Sequence, residues 1–389
     1  MTVKILHFSD SHLDIPAAKF GPRRFERKQD FLQTFDTVIE YALEKQPDII
    51  LHTGDLFNSI NPRNPVRAHV MTAFRKLHSQ GTRIFIISGN HDVPRAKQAG
   101  ISPLVEYANA GFITLFEDWE KVGSETINVD GLDVEISGIS YDPTIPASST
   151  IDPLSQTSIP GKGDINILLV HYNVEGFRGT FPTSPTIRLN SIPKKLTYLA
   201  VGHIHEYQQQ KVGNTTICTP GSTEHVSFAE EKHRKGFVWF EANADGVQKP
   251  EFVPVKTRPM RTITVTIPTD ADINSLLFRE INKLRNPQLI LRFLLKGVMT
   301  IKSAERYRRS EVIRHGIAQC FSVEIVDNLE YISPELAIPS EELALKPPIT
   351  EYRDQLTAAI KQEKDSVRKA RLQKALEQGV ALLEEKGGW

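Results

Sequence analysis

The strongest constraint on the fold is a repeated order of segments, in which a short apolar run is followed at once by polar residues. The runs are rich in Val, Ile and Leu, which is typical of strands buried on both faces. There are five such runs. They are Val3 to Phe8, followed by Ser9-Asp10-Ser11-His12; Asp48 to His52, followed by Thr53-Gly54-Asp55; Ile84 to Ile87, followed by Ser88-Gly89-Asn90-His91-Asp92; Ile165 to Val170, followed by His171; and Leu199 to Val201, followed by Gly202-His203-Ile204-His205. Because ligands gather at the carboxyl ends of strands in α/β folds, we predict that these polar residues share one site.

Helical periodicity separates the first three runs. Apolar residues recur at helical spacing between residues 31 and 42, and Pro47 closes that segment. A second helical pattern lies between residues 70 and 77 and ends at Gly81. Strand–helix–strand order followed by further strand-like segments predicts an α/β sandwich.

Composition excludes several classes of protein. The 389 residues include 47 Lys and Arg and 47 Asp and Glu, so no overall charge draws the chain toward nucleic acid or membrane, although a local basic face is still allowed. Cys218 and Cys320 form no CxxC pair, which argues against a disulfide framework or a thiolate zinc site. No apolar run resembles a signal peptide or membrane span, so we expect no membrane partner and a cytoplasmic protein, nucleoid-associated if prokaryotic.

Seven donor side chains follow the apolar runs, and none of them is a thiolate. They are Asp10, His12, Asp55, Asn90, His171, His203 and His205. This set suits Mn²⁺, Fe²⁺ or Zn²⁺, with Mg²⁺ as a further candidate, and its carboxylates favour Mn²⁺. Asp10 and His12 are two residues apart, as are His203 and His205, so each pair projects to one side of extended backbone. Since the two oxygens of Asp55 can bridge two ions, we predict a site for two metals.

His91 and Asp92 follow the predicted ligand Asn90. We predict that His91 faces a leaving group as a protonated imidazole, and that Asp92 holds its orientation and raises its pKa through the opposite charge. Two metals about 3.5–4 Å apart can hold a phosphate oxygen, generate hydroxide near neutral pH and stabilise in-line attack at phosphorus. Gly54 and Gly202 lie where a tight turn off a strand end favours a residue without Cβ. The pattern predicts a two-metal phosphoesterase.

Each motif alone is compatible with an ordinary polar turn, but their succession resembles the five signatures of calcineurin-like metallophosphoesterases. Two further segments resemble the DNA-repair nuclease branch, which comprises bacterial SbcD and the meiotic-recombination nuclease of archaea and eukaryotes. They are Gly54-Asp55-Leu56-Phe57 with Pro62, and Thr219-Pro220-Gly221-Ser222 with Ser227-Phe228 and Glu230. The resemblance is close up to residue 260 and weaker beyond it.

The resemblance implies a Mn²⁺-dependent exonuclease and endonuclease that hydrolyses phosphodiester bonds at double-strand DNA ends or hairpins in repair. The family pattern gives one metal to Asp10, His12, Asp55 and His205, and the other to Asp55, Asn90, His171 and His203. His91 would be the proton donor. The implied partners are DNA, an SbcC-type coiled-coil ATPase and a second copy of the nuclease in a homodimer. Some members carry a histidine where this chain has Asn58, which puts a second transition-state-stabilising imidazole in doubt.

The implied fold is a four-layer α/β/β/α metallophosphoesterase sandwich with a small α+β capping domain and a C-terminal helical arm. We place the sandwich at residues 1–255, the cap at residues 256–335, and the linker and arm at residues 336–389. Arg258-Pro259-Met260 resembles the Arg-Pro-Phe junction that opens the second domain of the family.

The predicted cap is basic and the predicted arm is helical. Residues 258–320 hold twelve Lys and Arg against five Asp and Glu, which suits either a DNA-backbone face or a solvated surface. Arg306, Arg308 and Arg309 are the residues that we predict to contact phosphate. Helices are predicted at residues 304–319 and, with a broken apolar stripe, at residues 350–385. The latter would pack on its own domain or bind the ATPase.

Two other functions use the same features. A metallophosphoesterase could act on small phosphodiesters or phosphoproteins, but protein phosphatases of this superfamily carry Asp-Arg-Gly after Gly-Asp and use Gly-Asn-His-Glu. This chain has Asn58-Ser59-Ile60 and Gly-Asn-His-Asp instead. A catalytically idle scaffold that recruits an ATPase would have lost metal ligands, whereas none of the seven is missing here. The sequence favours the DNA nuclease subunit.

Overall fold

The computed structural model describes residues 1–96, 100–146, 149–155, 157–179, 184–332 and 348–385. Its strands are β1 (Val3–Phe8), β2 (Ile49–His52), β3 (Arg83–Ile87), β4 (Thr114–Phe116), β5 (Gly123–Val129), β6 (Leu132–Gly138), β7 (Ile165–His171), β8 (Asn173–Val174), β9 (Thr186–Ile187), β10 (Tyr198–Gly202), β11 (Gln208–Val212), β12 (Thr215–Thr219), β13 (Gly236–Asn243), β14 (Gly246–Pro254), β15 (Met260–Ile267), β16 (Asn286–Thr300) and β17 (Cys320–Ile332). Its helices are α1 (Arg24–Lys45), α2 (Asn64–Ser79), α3 (Val105–Asn109), α4 (Ile273–Lys283), α5 (Ile301–Ala304), α6 (Arg309–Gln319), α7 (Pro348–Gln362) and α8 (Ser366–Glu385).

Two six-stranded sheets bring the predicted ligands to one edge. The strand orders are β14-β13-β1-β2-β3-β4 and β11-β12-β10-β7-β6-β5. In the first sheet β1 to β4 run parallel, and in the second β6, β7, β10 and β12 do so. The five strands predicted from the apolar runs are confirmed as β1, β2, β3, β7 and β10. Each predicted ligand lies at or just beyond the carboxyl end of one of these strands.

The two sheets pack face to face through an apolar core. Ile5 and Phe85 of the first sheet are fully buried in it, as is Ile167 of the second apart from 1% of its surface. The rings of Tyr198 and Phe240, one from each sheet, have centroids 4.4 Å apart. Because both faces of the central strands are covered, their sequences stay apolar without alternation.

Helices α1 and α2 cover the outer face of the first sheet. Phe31 and Phe35 of α1 and Phe74 of α2 are fully buried against it. Helix α1 ends at Lys45 because Gln46 takes a left-handed backbone with φ of 50° and Pro47 follows, as the sequence predicts. Helix α2 has a proline in its first turn, where the missing N–H has no partner to lose.

The outer face of the second sheet has a different cover. In the described residues its apolar cluster draws on loop segments and the short ribbon of β8 and β9, with Tyr172, Val174 and Ile187 buried to 1% or less. The mixed α/β class with several sheets and helices is confirmed. This fourth layer is built from loops and a ribbon rather than from an α-helix within the described ranges.

A smaller sheet follows the sandwich, in the order β15-β16-β17. The chain divides into two compact units, of which the first contains residues 1–267, 271–296 and 307–328 and the second contains residues 268–270, 297–306 and 329–389. The domain boundary predicted at residues 255 and 256 remains a proposal. The one predicted at residues 335 and 336 lies outside the described residues.

Arg258 joins the sandwich to the small sheet inside the first unit. Its guanidinium donates twice to the Asp30 carboxylate of α1, both at 2.6 Å, and once to Gln288 of β16 at 2.5 Å. The same group lies 3.7 Å from the ring centroid of Phe321 in β17. The side chains of Arg258 and Asp30 are 10% and 9% exposed, so this ion pair is largely buried from solvent.

Arg258→Ala should lower the free energy of unfolding by about 3 kcal/mol, because it leaves the buried Asp30 carboxylate short of a bidentate partner. Urea denaturation followed by tryptophan fluorescence measures this loss. The matched control is Lys256→Ala, since Lys256 is exposed two residues away. Equal unfolding midpoints for the two variants would contradict the role assigned to Arg258.

Two predicted helices differ from the helices of the structure. Of the segment predicted at residues 304–319, residues 309–319 form α6, whereas α5 ends at Ala304 and residues 305–308 are not helical. Arg308, just before α6, donates its N–H to Asn274 at 2.8 Å. The segment predicted at residues 350–385 consists of α7 and α8, which pack on each other with the Tyr352 hydroxyl donating to the carbonyl of Ala375 at 3.0 Å. None of the described helices combines the length and the apolar character that a membrane crossing requires.

Candidate metal centre and active site

The ligand-bearing turns adopt backbone conformations that ordinary side chains seldom take. Asp10, His12, Asp55 and His203 have φ values of 51°, 44°, 54° and 79°. Left-handed backbone of this kind costs about 1–2 kcal/mol per non-glycine residue. Backbone hydrogen bonds hold two of the turns together, from Asp10 N–H to the Gly54 carbonyl at 3.1 Å and from His12 N–H to the Asp55 carbonyl at 3.0 Å. The strain is concentrated where the predicted ligands converge.

Two glycines let these turns approach each other closely. Gly54 has a φ of 93°, and a Cβ at this position would lie 2.6 Å from Nδ1 of His171. A Cβ on Gly202 would overlap the carbonyl oxygen of Thr53. The glycines predicted to form tight turns therefore also make room for the histidines beside them.

One group of donor atoms comes from the turns that follow β1, β2 and β10. Nε2 of His12 lies 3.1 Å from Nε2 of His205. Nε2 of His205 lies 3.7 Å from Oδ1 of Asp10, and Nε2 of His12 lies 3.8 Å from Oδ2 of Asp55. All four side chains are buried or nearly so, and these donor atoms point into one small space.

A second group adjoins the first through the same Asp55 oxygen. Nε2 of His171 lies 3.3 Å from Oδ2 of Asp55 and 3.1 Å from Oδ1 of Asn90. Nδ1 of His203 lies 3.0 Å from that Asn90 oxygen. The structure thus brings all seven predicted ligands together, with Asp55 between the two groups.

The donor atoms fit metal ions placed among them. Ligands about 2.1 Å from an ion and at right angles to one another lie about 3.0 Å apart. Nδ1 of His171 donates to the Thr53 carbonyl at 2.6 Å, which leaves its Nε2 facing Asp55 and Asn90, whose oxygens are acceptors. Such an arrangement of lone pairs requires a cation or a proton at its centre. The residues present fit divalent ions with oxygen and nitrogen ligands.

A proton competes with a metal ion for His171. Burial alone would lower the pKa of this imidazole, but the neighbouring Asp55 carboxylate raises it to about 9. For Asp55 itself, burial would raise the pKa, but His171 holds it well below its usual range. Metal binding at this position therefore releases a proton, since a ligating imidazole must be neutral.

His91 lies beside the first donor group and is held by the main chain. Its Nδ1 donates to the carbonyl of Asn58 at 3.0 Å, and its ring centroid lies 4.9 Å from that of His12. The backbone N–H of His91 donates to Oδ1 of Asp55 at 2.8 Å. Since the contact to Asn58 uses a backbone oxygen, the replacement of the family histidine at that position does not remove it.

The predicted contact between Asp92 and His91 is wrong. Among the described residues the buried Asp92 carboxylate accepts hydrogen bonds from the backbone N–H groups of Leu56 at 3.1 Å, Phe57 at 3.0 Å and Gly89 at 3.3 Å. Burial, with the nearby charge of Asp55, raises the pKa of Asp92 to about 7. Asp92 therefore ties the turn after β2, which leads to Asn58, to the turn after β3 that carries His91.

The comparison with known families decides what this geometry belongs to. A family described as calcineurin-like phosphoesterase matches residues 3–207, which include all seven donor residues and His91.

The chain belongs to the calcineurin-like phosphoesterase family. The identification made from the sequence is thereby confirmed, and the protein is a metallophosphoesterase whose fold implies divalent metal ions. Each of three groups of His and Asp side chains in this phosphoesterase places one ligand atom per residue within 4.8 Å of the others. The groups are Asp10–His12–His205, His12–Asp55–His91 and Asp10–Asp55–His171.

Curated relatives of this phosphoesterase carry the name DNA double-strand break repair protein Mre11. The Methanocaldococcus jannaschii protein is 30% identical over 67% of this chain and 69% of its own length. The Thermoplasma acidophilum protein is 29% identical over 56% of each chain. The Saccharolobus solfataricus protein is 26% identical over 85% of this chain and 86% of its own length. The matched share of these relatives thus runs from about half to most of their length.

Three residues of the phosphoesterase that lie against the ligands or their partners were not predicted from the sequence to do so. Glu230 accepts a hydrogen bond from Nδ1 of His205 at 3.1 Å, and the ammonium group of Lys235 donates to Glu230 at 2.6 Å. The Tyr141 ring stacks on His203 with centroids 6.3 Å apart. Glu230 was noticed only as part of a branch motif, because its contact is set by the tertiary fold and leaves no local pattern.

The predicted phosphate-contacting arginines lie away from these ligands in sequence and are all exposed. Arg308 and Arg309 lie at the start of α6 in the first unit, where Arg309 donates to the carbonyl of Ile325 at 2.8 Å. Arg306 belongs to the second unit. Their contact with DNA stays a prediction.

Proposed function

We propose that this phosphoesterase is a Mn²⁺-dependent DNA exonuclease and endonuclease that acts on double-strand ends by two-metal hydrolysis. The observation that carries the proposal is the position of Asp55 between two groups of donor atoms. Two adjacent groups that share a carboxylate are the ligand pattern of a two-metal site. The carboxylate, amide and imidazole donors favour Mn²⁺ over softer ions.

The chain supplies the proton and the positioning for this reaction. When bound, the metal ions lower the pKa of an attacking water and stabilise negative charge on the phosphate. His91 is the residue that we propose to protonate the leaving oxygen. With Nδ1 engaged by the Asn58 carbonyl, its Nε2 is the atom left to carry that proton. The buried turns that Asp92 joins keep the ring at a fixed distance from the donors.

The choice of DNA over smaller phosphodiesters is supported by the relatives, whose names describe DNA double-strand break repair. It is also supported by the small sheet that Arg258 fixes to the sandwich, an addition that a small substrate would not require. An idle scaffold is disfavoured, since all seven donors and His91 lie together.

Purified protein should release nucleotides from linear duplex DNA with Mn²⁺, and an excess of chelator should stop the release. A chromogenic phosphodiester in the same buffer is the comparison substrate. Activity on the chromogenic ester with none on linear, hairpin or single-stranded DNA would favour the small-substrate function. No hydrolysis of either substrate with Mn²⁺, Fe²⁺, Zn²⁺ or Mg²⁺ would rule out the enzyme proposed here.

We also propose an SbcC-type ATPase and a second copy of the nuclease as partners. The α7–α8 hairpin supports the first of these, because Val367 and Leu382 of α8 are 60% and 57% exposed. Exposed apolar side chains on an otherwise charged helix suit docking into a groove of another protein.

A further inference from the structure

The two ligand groups differ in the acceptor that binds Nδ1 of one histidine in each, the ring nitrogen that faces away from the other ligands. Nδ1 of His171 donates to a neutral backbone oxygen, the Thr53 carbonyl, at 2.6 Å. Nδ1 of His205 donates to a carboxylate oxygen, Oε1 of Glu230, at 3.1 Å. A carboxylate that accepts a hydrogen bond from the non-ligating ring nitrogen fixes the tautomer of the imidazole. It also increases the basicity of the ligating nitrogen more than a backbone carbonyl does.

Glu230 is itself held on both oxygens. Oε1 also accepts from the Ser227 hydroxyl at 3.2 Å, and Oε2 accepts from the N–H of Val226 at 3.2 Å and from Nζ of Lys235 at 2.6 Å. The side chain is 8% exposed. Hydrogen bonds to both oxygens restrict the orientation of the carboxylate, so Oε1 stays directed at His205.

Lys235 connects the carboxylate to the backbone of the ligand. Its side chain is 0% exposed, and its ammonium group donates to Glu230 at 2.6 Å, to the Ser222 hydroxyl at 2.7 Å and to the carbonyl of His205 at 2.9 Å. The three N–H donors of the group thus have three acceptors. A buried lysine with no solvent contact is rare and needs such pairing. The Lys235 ammonium group therefore binds both the main chain of His205 and the Glu230 carboxylate that accepts from the His205 ring.

We propose that Glu230 and Lys235 are positioning residues that raise the metal affinity of the donor group containing His205. The inference rests on the proposed two-metal site but is independent of the DNA substrate. In the other group, Nδ1 of His171 donates to the Thr53 carbonyl instead, so the two metal positions should differ in how strongly they depend on Glu230.

The test is a titration of the whole 389-residue chain with Mn²⁺, monitored by calorimetry and by electron paramagnetic resonance. Glu230→Gln should weaken one of two binding events by about 10–100-fold and leave the other within error. Raised Mn²⁺ should restore hydrolysis by the variant. The matched control is Glu224→Gln, which alters a buried carboxylate in the same loop that contacts Arg27 rather than a ligand. It should leave both binding events unchanged.

A second variant separates positioning from stability. Glu230→Gln alone leaves the Lys235 ammonium buried without its counter-charge, so it should also lower the thermal midpoint. In Glu230→Gln/Lys235→Met both charges are gone, so the thermal midpoint should recover while the weakened binding event stays weak. Recovery of both would show that charge balance alone matters, and would overturn the inference.

The remaining outcomes are distinct. Two Mn²⁺ bound by the wild type and by Glu230→Gln with equal affinities would overturn the positioning role while leaving the proposed function standing. No Mn²⁺ bound by the wild type would remove the proposed function, and with it this inference.

Discussion

Asp55→Asn should lower phosphodiester hydrolysis by about 10³-fold or more, since a two-metal site supplies several kcal/mol of transition-state stabilisation. Oδ2 of Asp55 lies 3.3 Å from Nε2 of His171 and 3.8 Å from Nε2 of His12, so one carboxylate serves both donor groups. The amide of Asn offers a single neutral oxygen. Both metal positions should therefore lose affinity together, which distinguishes this variant from one that affects a single group.

Steady-state hydrolysis and Mn²⁺ titration measure the two effects. Asp48→Asn is the matched control, because Asp48 precedes the other end of β2 and accepts a hydrogen bond from the N–H of Lys4 at 2.7 Å. It should keep full activity. Loss of only one Mn²⁺ in Asp55→Asn would show that the carboxylate belongs to one metal and does not bridge.

His91→Ala should reduce the turnover number by about 10²–10⁴-fold, which is the usual contribution of a positioned general acid. Mn²⁺ binding should persist, because all seven proposed ligands remain. Rapid-quench kinetics on a defined duplex end measures the chemical step directly. Loss of one Mn²⁺ in this variant would show that His91 is a ligand, as its proximity to His12 and Asp55 allows.

Two companion variants sharpen that result. Asn58→Ala keeps the backbone carbonyl that accepts from Nδ1 of His91 at 3.0 Å, so its turnover number should change little. His78→Ala, on the exposed face of α2, should leave the turnover number unchanged. A deficit in Asn58→Ala as deep as that in His91→Ala would mean that the Asn58 side chain takes part in the chemistry.

The strands and ligands were predictable because their signals are local. Each apolar run is buried on both faces, and each ligand follows its strand within a few residues. The position of Asp92 was not predictable in the same way. Its partners Leu56 and Phe57 are 36 and 35 residues away, and two neighbouring residues such as His91 and Asp92 suggested a contact that the fold does not make. Glu230 was missed for the same physical reason.

The sequence contains a local signal for the division of the helix predicted at residues 350–385, but the continuous spacing of its apolar residues outweighed that signal. The Asp365 carboxylate accepts from the N–H of Arg368 at 2.8 Å, which is the hydrogen bond of a helix N-cap. Asp followed by Ser within a charged helical pattern is a start signal, but the pattern of apolar residues continues through it. Strand β17 was missed because it follows α6 directly, with no turn residue between them.

The left-handed turns at Asp10, His12, Asp55 and His203 have a consequence for how the protein acquires its metal. Backbone hydrogen bonds join the turns at Asp10 and His12 to the Gly54–Asp55 turn, and the N–H of His203 donates to the Asp10 carboxylate at 3.1 Å. The strands that carry these turns pack in two apolar cores, so the polypeptide itself contributes to the shape of the site. We expect the metal-free chain to be a stable species that can lose and regain ions without refolding. The metal that the protein binds would then depend on the ions available around it as well as on the preference of its carboxylate, amide and imidazole donors.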